Sequence, residues 1–71
     1  MNKLDELTKF ARSTRLRAYW ARDSKRVLQS ELALRRISEG RLDDAIRILY
    51  NVVLPNAVWY RAGVLEDIVL L

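Results

Sequence analysis

The feature that most constrains this chain is the stretch from Thr14 to Glu39, which contains neither proline nor glycine. Leu16, Trp20, Val27 and Leu34 recur along it at helical spacing and cluster on one side of a helical wheel. Arg15, Arg22, Lys25, Arg26, Gln29 and Arg36 fall on the far side. Read as one helix, the stretch is roughly 40 Å long at 1.5 Å per residue. A chain of 71 residues cannot cover such a helix with its own remainder. Leu28 and Leu32 open a second apolar flank, which calls for a neighbour beyond the subunit's own core.

Length bounds the rest. A chain this small forms one domain over residues 1–71, and burial alone leaves it marginal. With no cysteine and no histidine it has neither a disulfide nor a Cys/His metal staple, so oligomerisation is the expected supplement. The residues up to Phe10 alternate in charge and include no apolar core of a signal peptide. The apolar run Val52–Tyr60 is interrupted by Pro55 and Asn56, and it falls short of the ~20 residues that a membrane span requires. A cytoplasmic protein that does not cross the membrane is expected.

Before the long stretch, Leu4, Leu7, Phe10 and Ala11 form a short amphipathic helix with Asp5 and Glu6 in its first turn. Ser13 and Thr14 favour a break or bend there over continuation into the next helix. Gly40 marks a reversal. A further helix starts near Leu42 or Asp43 and buries Ala45, Ile46, Leu49, Val52 and Val53. Residues 46–54 also have strand-forming character, but a lone strand would find a partner only in another subunit, so helix is preferred. Pro55 ends that helix and Asn56 can cap the last one, from Ala57 to about Val69, with Val58, Ala62, Leu65 and Val69 on its inner side. Gly63 lies inside it, either as a tolerated cost or as a point of close helix approach. The apolar Ile68–Leu71 is expected to need cover from another surface. The fold class is therefore all-α: a small bundle of three main helices and a short N-terminal one, completed by homo-oligomerisation, with a dimer favoured.

The stretch Leu32–Leu49, with Gly40-Arg41-Leu42-Asp43-Asp44-Ala45 at its turn, faintly resembles one helical hairpin of the tetratricopeptide type. The aromatic and small-residue spacing specific to that motif is missing, and no function follows from the resemblance.

Chemistry is sparse. The two glycines stand in no phosphate-binding context. Asp5/Glu6, Asp43/Asp44 and Glu66/Asp67 are sequence neighbours that do not face each other on a helix, so none makes an acid–base pair. No catalytic residue, cofactor, metal or small-molecule substrate is assigned. Charge is more informative. Through Arg26 the chain carries eight basic groups against three acidic ones, and beyond it five against six. Arg12, Arg15, Arg17, Arg22, Lys25 and Arg26 are thus the candidate contact face. Arginine suits planar contacts to carboxylate or phosphate. A helix-turn-helix centred on Gly40 has the wrong sign, because Asp43 and Asp44 lead its second helix. A turn after Phe10 fits better, because Arg15 and Arg17 follow it. Trp20 is expected in the core rather than as a stacking platform. Trp59, at a helix margin beside Tyr60, joins Leu28, Leu32, Leu70 and Leu71 as an expected oligomer interface.

The expected function is that of a small non-enzymatic regulatory or adaptor protein that binds another protein, possessing a surface suited to an acidic partner, and that is itself a homodimer. The alternative is a nucleic-acid-binding regulator using the basic N-terminal face, whose binding would depend steeply on salt. Plain solvation of that face is the third reading.

Overall fold

A computed structural model describes residues 2–71, and its fold is all-α with four helices. Helix α1 spans Lys3–Trp20, α2 Ser24–Ser38, α3 Leu42–Val53 and α4 Ala62–Val69. A single 3-10 turn, Leu54–Asn56, follows α3 directly.

The expected long helix does not exist as such. The Asn2 side chain caps α1, accepting the Leu4 N–H at 2.8 Å, and the helix runs unbroken past Ser13. Leu7, Phe10, Ala11, Thr14 and Ala18 make one continuous buried face across that point, which holds the helix together. The break falls instead at Ala21–Asp23. Arg22 adopts left-handed backbone at φ 57, and its N–H donates to the Tyr19 carbonyl. The Asp23 N–H donates to the Ala18 carbonyl at 2.9 Å. This pair of reversed bonds is a Schellman termination. Asp23 then caps α2 by accepting the Arg26 N–H at 3.1 Å. With the stretch folded back on itself, the length argument for oligomerisation no longer applies.

The end of α2 is built the same way, at the expected residue. Gly40 has φ +77, its N–H donates to Ile37, and the Arg41 N–H donates to Arg36 at 2.8 Å. Helix α3 follows as expected, with Asp43 and Asp44 in its first turn and Ala45, Leu49, Val52 and Val53 buried. Residues 46–53 are helical rather than extended.

The last helix is shorter than expected. Residues 57–61 form turns, and Arg61, at φ 58, is the third left-handed corner. Val58 therefore projects into solvent, and Tyr60 takes the buried place beneath the corner. Ala62, Leu65 and Ile68 complete the buried face of α4. A Cβ added at Gly63 would meet nothing within 4 Å, so this glycine marks no close helix approach.

Packing follows chain order: α1 on α2, α2 on α3, then α4 closing against α1 and α3. The extents are 30 × 23 × 16 Å. Five alanines, Ala11, Ala18, Ala33, Ala45 and Ala62, sit in the core beside Leu7, Phe10, Leu49, Tyr60 and Leu65. Small residues at these contacts let the helix axes approach closely. Val27 and Leu34 pack half-buried against this core. Leu16 and Trp20, expected with them, lie outside it, because the alanine-bearing face of α1 is the one turned inward.

Candidate binding surface

The α1–α2 corner groups several large exposed side chains. The Schellman turn at Arg22 brings the exposed last turn of α1 against the first turns of α2. Tyr19 is 63% exposed, Trp20 73%, Leu16 52% and Leu28 66%. An open groove of ≈ 630 Å³ runs between Tyr19–Trp20 and Val27–Leu28, with Arg22, Asp23 and Ser24 at its end. The Tyr19 and Trp20 rings meet edge to face, their centroids 6.0 Å apart and their planes at 79°. They form an L-shaped wall, not two parallel plates.

The charges around the corner divide into engaged and free. Arg15 Nε donates to Glu31 Oε2 at 3.0 Å, tying α1 to α2. Arg26 is the most heavily used of the six basic candidates. Its Nη1 pairs with Asp23 Oδ2, its Nε donates to the Val52 carbonyl at 3.1 Å, and its guanidinium lies 5.2 Å from the centre of the Tyr60 ring. It is half-buried rather than on an outer face, and it links the start of α2 to the end of α3. The backbone N–H of Arg26 is the main cause that holds the Asp23 carboxyl below the ordinary aspartate range. The Arg26 side chain and the nearby Lys25 act in the same direction, against a partial desolvation. Arg12, Arg22 and Lys25 are exposed, Arg17 is half-buried, and none of the four has a carboxylate within ion-pair distance among the described residues. The local acids are thus occupied and the local cations are left over.

The remaining interface candidates do not join this patch. Leu32 is half-buried on α2. Trp59 lies with the exposed Leu54 and Val58 on the segment after α3, and Leu70 and Leu71 are exposed at the end of α4. The corner aromatics escaped a reading based on periodicity because Leu16, Tyr19 and Trp20 are larger and more apolar than the alanines that are actually buried. The usable signal was Asp23-Ser24, a helix-capping pair that places a corner directly after Trp20.

Among the described residues no helix is long and apolar enough to cross a membrane. No group of three or more histidine, cysteine, aspartate or glutamate side chains there could hold a metal ion. Comparison with protein-family models, with curated proteins and with solved structures finds no match.

Proposed function

We propose that this is a small, non-enzymatic regulatory or adaptor protein that acts by binding another protein chain at the α1–α2 corner, and that it self-associates. The observation that carries this reading is the exposure of Tyr19, Trp20 and Leu28 around one groove, with the exposed Leu16 one turn before Trp20 on α1. Large apolar side chains grouped in a concavity and rimmed by charge are a recurrent feature of protein-binding sites. Tryptophan and tyrosine add contact area with a polar edge. The free cations Arg12, Arg22 and Lys25 favour a partner whose apolar anchor is flanked by carboxylates.

Nucleic acid is the second reading, favoured by the same free cations beside exposed aromatic rings. The ring geometry weighs against it. Successive bases stack on roughly parallel faces, whereas the perpendicular Tyr19–Trp20 pair makes a notch suited to a branched aliphatic side chain.

Capture from native lysate by the tagged chain, with and without nuclease, separates the two. Protein binding predicts bound proteins that survive nuclease and are lost with Trp20→Ala/Leu28→Ser. A duplex-DNA titration in which affinity falls steeply with salt and depends on Arg12 and Arg22 would instead establish the second reading.

A further inference from the structure

We infer that the corner groove receives the end of α4 from a second copy of this chain, so that copies associate head to tail. This rests on the corner being a protein-binding surface and names an occupant for it.

The argument is complementarity within one molecule. On α4, Glu66 and Asp67 are exposed and have no cation within ion-pair distance among the described residues. Each lies four residues before an exposed leucine, Leu70 and Leu71, and so shares a side of the helical path with it. This is an apolar anchor flanked by carboxylates. The corner offers the converse, an apolar notch of Trp20 and Leu28 with Arg22 in its lining and the exposed Lys25 one turn before Leu28 on α2. Within one chain neither satisfies the other: the leucines remain in solvent and all four charges remain unpaired. A second copy meets both needs at once. The two patches differ, so the contact is heterologous, unlike a two-fold interface in which one patch meets itself.

The test uses the full chain and two variants. Trp20→Ala/Leu28→Ser disables the corner, and Glu66→Lys/Asp67→Lys disables the α4 end while leaving the corner intact. All four positions are exposed, and circular dichroism checks that the fold persists. In sedimentation equilibrium the unmodified chain should rise above its 8.3 kDa monomer mass as concentration increases. Each variant alone should associate at least about tenfold more weakly. An equimolar mixture of the two variants should recover a one-to-one dimer that grows no further, because only one productive corner and one productive α4 end remain. A chain that stays monomeric at all concentrations overturns the inference. So does an α4 variant that associates like the unmodified chain, which would point to corner-on-corner pairing or to a foreign partner. Both results leave the corner itself to be judged by capture. Amide chemical shifts of the unmodified chain provide a check free of substitutions. Concentration-dependent changes should cluster in both 16–28 and 66–71, and changes confined to the first region overturn the inference.

Discussion

Arg26 shows how much structural work one side chain can carry in a domain with so small a core. Its guanidinium pairs with Asp23, the cap of its own helix, reaches a carbonyl in the last turn of α3 and covers the Tyr60 ring. Replacement by methionine keeps the aliphatic stem and loses all three polar contacts of the guanidinium. The expected cost is about 1–2 kcal/mol in urea unfolding, kept modest because the group is partly solvated. Arg26→Lys should recover only part of it, since a single ammonium cannot reproduce the planar fork. Asp23 sets the pH dependence of the same junction. Its folded pKa is lowered, so its contribution is fully present above the ordinary aspartate value and is lost as pH falls through the depressed one. Thermal melts of Asp23→Asn should therefore show less loss of stability on acidification across that window than the unmodified chain. A variant that retains the full acid dependence would place the cause elsewhere.

At the scale of the element, the instructive contrast is between the two helix ends that share one geometry. Gly40 ends α2 in left-handed backbone, as glycine does cheaply, and that end is legible in the sequence. Arg22 ends α1 in nearly the same conformation with a Cβ in place, as does Arg61 before α4. A reading that looks for glycine at helix ends passes over both arginines, merges α1 with α2 and starts the last helix too early. Arg22→Gly should therefore stabilise the fold by about 1 kcal/mol, while Gly40→Ala should destabilise it by a similar amount. The added Cβ at Gly40 meets open space, so the second cost is purely conformational. Chemical denaturation of the two variants checks both signs. Arg22→Gly should also weaken self-association, because it removes a cation from the rim of the groove. Strain retained where a glycine would relieve it fits a position kept for its side chain.

For the whole molecule, fold class and the α2–α3 half were legible, while the orientation of α1 was not. Helical spacing identifies a stripe, but on α1 two stripes compete: a large apolar one through Leu16 and Trp20, and a smaller one through Ala11, Thr14 and Ala18. Size favours the first. Tertiary contact selects the second, because small residues let α1 lie close against its neighbours. That choice leaves the aromatic residues outside and creates the candidate surface, so one misreading of α1 hid both its buried face and its exposed aromatics. It also makes the interior intolerant of volume. Ala33→Leu should cost about 1–3 kcal/mol by overpacking, readable as a lowered urea midpoint.

The packing of each helix on its successor has a kinetic consequence. Each early contact closes only a short loop, so little chain entropy must be surrendered before the next contact forms. Relaxation after a temperature jump should fall in the microsecond-to-millisecond range typical of small helical domains. Of the contacts distant in sequence, the most extensive is that of α4 with α1. Docking of α4 should be the last event on the folding path and the first to reverse, so the segment that carries Leu70 and Leu71 would be the part most often released from the folded body.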